Sequence, residues 1–98
     1  VTVQIFESDT PFGRKESPPE EMKRVRIEPA FKIRRSFDGV DVDINSVMFI
    51  DQINTINPIA LPVRSTVHWQ GVEMKVVDCK IFYDFDGQTP HHYEVLLV

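Results

Sequence analysis

Residues 23–35, KRVRIEPAFKIRR, decide the fold. Val25, Ile27, Phe31 and Ile33 fall on one face of an alternating pattern, and Arg24, Arg26, Glu28, Lys32 and Arg34 fall on the other. Side chains alternate across a strand, so a period of two reads as a half-buried β-strand. Pro29 interrupts the run on the apolar face. Proline donates no ladder hydrogen bond, which predicts an edge strand or a bulge here. Ser36-Phe37-Asp38-Gly39 follows as a turn, with Gly available for the positive φ of a tight hairpin. Beyond it Val40, Val42 and Ile44 alternate with Asp41 and Asp43, and the apolar run Val47-Met48-Phe49-Ile50 predicts a buried strand. Pairing of 24–35 with 40–50 would set a basic face beside an acidic one, with each opposite-charge pair contributing ~0.2–1 kcal/mol to register.

The same period runs outward in both directions. Val1, Val3 and Ile5 read as a strand, as do 66–69, 72–83 and 91–98. Within 72–83 the apolar parity moves from Val72, Met74 and Val76 to Val77, Cys79, Ile81 and Tyr83, which predicts a β-bulge near Val76-Val77. In the last strand Tyr93, Val95 and Leu97 share a face. Asn54, Asn57, Pro58 and Pro62 mark 51–63 as a long loop, and Asp86-Gly87 marks a turn within 84–90. Ser17-Pro18-Pro19-Glu20 carries a helix-start pattern with room for one turn. These elements predict an all-β fold, a small β-barrel or sandwich with long loops, formed by residues 1–98 as one domain.

Ninety-eight residues with 42% apolar and 27% charged side chains fit a folded domain that is too short for a large core. The net charge of −4 argues against generic nucleic-acid binding, but it is unevenly spread. Residues 1–35 hold eight Lys/Arg and six Asp/Glu, a net +2; residues 36–98 hold three and nine, a net −6. No apolar run reaches the ~20 residues of a membrane helix, so no membrane association is expected. The segment from Val1 lacks the charged and apolar regions of a signal peptide, and the missing initiator Met suggests a trimmed chain. With Cys79 as the single cysteine, no internal disulfide is available and a cytoplasmic origin fits.

The candidates for chemistry read as surface or core. Asp38, Asp41 and Asp43 lack the central Gly and closing Glu of a calcium loop, and read as a solvated hairpin face. His91 and His92 are adjacent, so a regular strand sends them to opposite faces, while His68 lies in another strand; no metal site is expected. Cys79 sits in an apolar-patterned strand and reads as a small core residue. Gly13, Gly39, Gly71 and Gly87 all lie in turns, and no phosphate-binding glycine loop or nucleophile elbow occurs. No enzyme activity and no cofactor are expected. A basic 23–35 face with Phe31 and Phe37 nearby leaves one alternative, an OB-like nucleic-acid-binding module. A positive and a negative edge on one small domain suit head-to-tail packing into a ring better.

Four stretches resemble a known virion family: VHWQGVEMKVV at 67–77, HHYEVLL at 91–97, VRIEP at 25–29 and NSVMFID at 45–51. It is the minor capsid protein group of tailed phages of Gram-positive bacteria, similar to the stopper or head-completion proteins of long-tailed phages. The resemblance covers residues 1–98 in the same order. It implies a structural subunit of a six-fold ring below the portal and adaptor rings, closing the DNA channel and docking a tail-terminator or tail-tube protein. It implies a location at the head–tail junction, with packaged DNA passing without sequence recognition. A loop between early strands projects into the lumen of such rings. The matching region, 34–45, makes Asp38, Asp41 and Asp43 the channel-facing candidates, where like charge keeps DNA from sticking. Arg24, Arg26, Lys32, Arg34 and Arg35 are the expected subunit and ring contacts.

Overall fold

The computed structural model describes residues 1–11, 13–30, 33–37 and 39–98, with the backbone alone at 9, 10, 36 and 37. It is all β: β1 (Thr2–Gln4), β2 (Phe6–Thr10), β3 (Gly13–Glu16), β4 (Glu20–Glu21), β5 (Arg26–Pro29), β6 (Arg34–Phe37), β7 (Val40–Asp43), β8 (Ser46–Asp51), β9 (Thr66–Trp69), β10 (Val72–Tyr83) and β11 (Pro90–Leu97). Seven strands form one antiparallel sheet in the order β4-β1-β9-β10-β11-β8-β5, and β2–β3 and β6–β7 stand apart as two-stranded arms. The sheet curls into a half-barrel and leaves β4 and β5 as edges.

The concave face holds the main core. Val3, Met48, Ile50, Val67, Val76, Val95 and Leu97 are wholly buried there, closed below by Met22 and by Leu61 from the 52–65 loop. The alternation read from the sequence accounts for this: Tyr93, Val95 and Leu97 do share the core face of β11. A smaller cluster forms on the convex face, where Ile44, Val77 and Leu96 are buried with Ile33, Val42 and Val47 packed around them. The β6–β7 arm therefore lies against the back of the sheet.

The deciding stretch is two strands rather than one. Arg26, Ile27, Glu28 and Pro29 pair with Phe49, Met48, Val47 and Ser46, whereas Arg34 and Arg35 pair with Asp43 and Val42. Ala30 N–H still donates to Asn45, but the next bond runs from Ile44 N–H to Ile33, so the register moves by two residues in between. Pro29 sits on an edge strand immediately before that shift, as its missing N–H requires. The shift carries Ile33 to the convex cluster while Val25 and Ile27 pack on the concave core, so these residues do not share one face. Phe31, Lys32 and Asp38 lie outside the described residues. Phe37 pairs with Val40, which leaves two residues for the turn, with Gly39 at φ +78°.

The bulge in β10 is present: Val76 pairs with Leu97 and Asp78 with Leu96. Val77 is the extra residue. Instead of joining Cys79 on the concave side, it turns to the convex cluster, because two bulge residues face one partner residue. No helical turn forms at residues 17–20. Ser17 Oγ accepts from Ile5 N–H at 2.8 Å and Ser17 N–H donates to Ile5 at 2.8 Å, so the would-be cap closes the β2–β3 arm, and Glu20–Glu21 pairs with β1.

Candidate functional site

On the convex face, residues opposite one another form rows across four strands. Arg26, Phe49, Glu94 and Lys80 align across β5, β8, β11 and β10; Asp51, His92 and Phe82 make the next row. The Arg26 guanidinium lies 4.7 Å from the Phe49 ring centroid, and the Phe82 and His92 rings stack at 4.6 Å, 3° from parallel. The arm covers the other end of this face, so the rows stay open to solvent.

A cavity of about 530 Å³ opens at this end, lined by Arg24, Val25, Arg26, Phe49, Ile50, Asp51, Asn54, His91, His92 and Glu94. Arg24 sits at φ +59°, a left-handed conformation uncommon outside glycine. Loop 52–65 holds it there. Lys23 and Ile56 exchange both backbone bonds at 3.1 and 2.9 Å, and Thr55 Oγ1 donates to Arg24 O at 3.0 Å while accepting from Asp51 N–H at 2.9 Å. Asp51 closes the β8 turn, accepting from Ile53 N–H at 2.7 Å and Asn54 N–H at 3.2 Å. These donors, Ile53 first, hold its carboxyl below the usual range.

His91 and His92 do not part to opposite faces. A second register shift follows Phe82, where His92 pairs with Phe82 but Tyr83 pairs with Pro90, leaving His91 as an extra residue. Both rings then turn the same way, and their Nδ1 atoms approach to 2.9 Å. A hydrogen bond at that contact needs a donor on one ring and an acceptor on the other. Among the described residues no three His, Cys, Asp or Glu side chains are grouped to hold a metal ion. Cys79 is half-buried against the core, and burial pushes its thiol up.

The sequence-predicted residues thus divide between two places. Arg24 and Arg26 come together at the cavity; Arg34, Arg35, Asp41 and Asp43 lie on the arm. Among the described residues the expected basic-beside-acidic pairing is realised once, where Arg34 Nε meets Asp43 Oδ1 at 3.2 Å with both side chains more than two-thirds exposed. Arg26 pairs instead with Glu28 of its own strand at 3.2 Å. Exposed pairs contribute about 1 kcal/mol at most. Asp43→Asn is therefore expected to move the urea midpoint by less than that amount allows; a larger shift would show a buried role for the pair.

The sequence reading missed Phe49, Asp51, Phe82 and Phe85. Phe85 is fully exposed at the tip of the β10–β11 hairpin, and Phe82 and Tyr83 are 40% and 52% exposed beside it. An aromatic ring between Asp84 and Asp86 in a turn was the available signal. The tip is braced by Asp86, whose carboxylate accepts from Thr89 Oγ1 at 2.6 Å and from Thr89 and Gln88 N–H at 2.8 Å. Those bonds, the Thr89 hydroxyl first, lower its pKa from 3.8 to about 2. A depressed folded value means the brace is intact above about pH 4 and is lost as pH falls toward 2. Amide shifts of Gln88 and Thr89 should move across that window and stay still in Asp86→Ala; flat wild-type shifts would contradict the brace.

Fold and surface define a small all-β structural domain whose distinctive chemistry is displayed on its faces. A family model described as Minor capsid protein matches residues 1–97, and the chain belongs to that family. No curated protein and no solved structure matches it. Membership makes the chain a structural component of a bacteriophage virion and points to a non-enzymatic role.

Proposed function

We propose that the chain is a head–tail connector subunit, a stopper or head-completion protein of a phage of Gram-positive bacteria. Six copies form a ring at the head–tail junction, beneath an adaptor or portal ring and above a tail-terminator or tail-tube protein. The ring closes the DNA channel after packaging and docks the tail. The observation that carries this reading is the β6–β7 arm, which stands apart from the seven-stranded sheet in a chain of the minor capsid family. Val42 packs toward the sheet, so Asp41 and Asp43 on either side of it point away, exposed. Exposed carboxylates on β7, with Arg34 and Arg35 kept to β6, suit a DNA channel on that side, where like charge prevents adhesion. The two uncovered sheet edges also call for neighbours.

Labelling of wild-type virions locates the subunit: signal at the neck supports the proposal, and signal on the capsid faces overturns it. Asp38→Asn, Asp41→Asn and Asp43→Asn combined should increase DNA leakage; unchanged titre and retention would remove the arm from the channel. Charge reversal at Arg24, Arg26, Lys32, Arg34 and Arg35 should block ring assembly. A monomer that binds single strands in a salt-dependent way would favour the OB-like module instead.

A further inference from the structure

The β10–β11 tip projects beyond Asp51, where β8 ends, and its hydrogen bonds hold an aromatic ring in water. Asp84 N–H donates to Thr89 O at 2.8 Å, Gly87 N–H donates to Asp84 O at 2.9 Å, and Asp86 fixes the far side. A loose loop would fold Phe85 back onto the nearest apolar surface, because burying a phenyl ring is favourable. This braced loop denies it that contact, which is preorganisation for a partner.

The cavity supplies the complementary chemistry. Half-buried Val25 and Phe49 supply its apolar lining, and Arg24 and Arg26 stand beside them. Arg24-Val25-Arg26 and Asp84-Phe85-Asp86 are base-apolar-base and acid-apolar-acid. Of the cavity's own acids, Asp51 is held by its turn amides, and Glu94 stands opposite Lys80 in the sheet row. Arg24 and the Asp84 carboxylate have no ion pair among the described residues. We propose that the tip of one copy seats in the cavity of a second copy, with Phe85 entering over Val25 and Asp84 meeting the arginines. The contact gives the proposed ring its subunit interface, and to that extent it rests on the ring reading.

Light scattering of the full chain across a concentration series tests it. Phe85→Ser and Arg24→Glu alter exposed side chains, and circular dichroism should confirm that both fold. Each is expected to weaken self-association at least about thirtyfold, the scale of a hot-spot residue. Mixed together, the two monomeric variants should form one-to-one dimers and nothing larger, since each keeps one working half. Val63→Ser, in the apolar groove beside Cys79, should change nothing. A wild type that stays monomeric to millimolar concentration, variants that associate like wild type, a mixture that fails to pair, or loss of assembly in Val63→Ser would each overturn the contact. Rings that survive both changes would end the contact and leave the ring reading. Two-fold dimers that dissolve in both variants would keep the contact and end the ring.

Discussion

Met48→Ala is expected to destabilise the fold by about 2–5 kcal/mol, the cost of truncating a long side chain that cannot be replaced by water or by collapse of its neighbours. Met48 is wholly buried on β8, paired with Ile27 on one side and with Val95 on the other. Its side chain thus ties the edge strand β5 to the centre of the sheet. A domain of this length has a total stability of roughly 5–15 kcal/mol, so the substitution removes a large share of it. At about 4–8 °C per kcal/mol, the thermal midpoint should fall by at least roughly 8 °C. Val40→Ala is the control. Val40 is 61% exposed on the arm, and its truncation should cost no more than about 0.5 kcal/mol. Equal midpoints for Met48→Ala and wild type would mean that the concave cluster is not the core that holds the sheet.

The period-two pattern made most of the sheet legible, because a strand with one buried face must alternate. Met74, Val76, Tyr93, Val95 and Leu97 could be assigned to the core from parity alone, and so could the bulge between Val76 and Asp78. Two features could not be read that way. The direction of Val77 depends on which face a second layer covers, and that layer is an arm whose docking is a long-range event. The convergence of His91 and His92 depends on where β11 stops matching β10, and that shift falls at Pro90-His91-His92, where no apolar alternation records it. Ser17 shows the limit of local signals: its hydroxyl can satisfy a helix N-terminus or a strand amide, and Ile5, twelve residues away, decides. The cavity residues Arg24 and Arg26 were visible as charge, but their common wall with Phe49 and His92 is set by pairing across three strands.

Val77→Asp should release the β6–β7 arm while leaving the main sheet folded. Val77 is buried beneath the arm with Ile44 and Leu96, and the whole cluster lies on the opposite side of the sheet from Met48 and Val95. A carboxylate there has no partner in reach within the cluster, and burying it unpaired is costly. The cheaper outcome is for the arm to lift and let the charge reach water. What holds the arm is the burial of a few branched side chains, each contributing about 1.5–3 kcal/mol, so amide protection at Val42 and Ile44 should fall by roughly ten- to a hundredfold. Protection at Met48, Tyr93 and Val95 should persist. If all of these amides lose protection together, arm and sheet are one cooperative unit and the convex cluster is part of the core. If only the arm opens, the β10 bulge has a further consequence: by turning one valine outward it anchors the segment that carries Asp41 and Asp43. The reach of those acids from the sheet is then set by a single extra residue in a neighbouring strand.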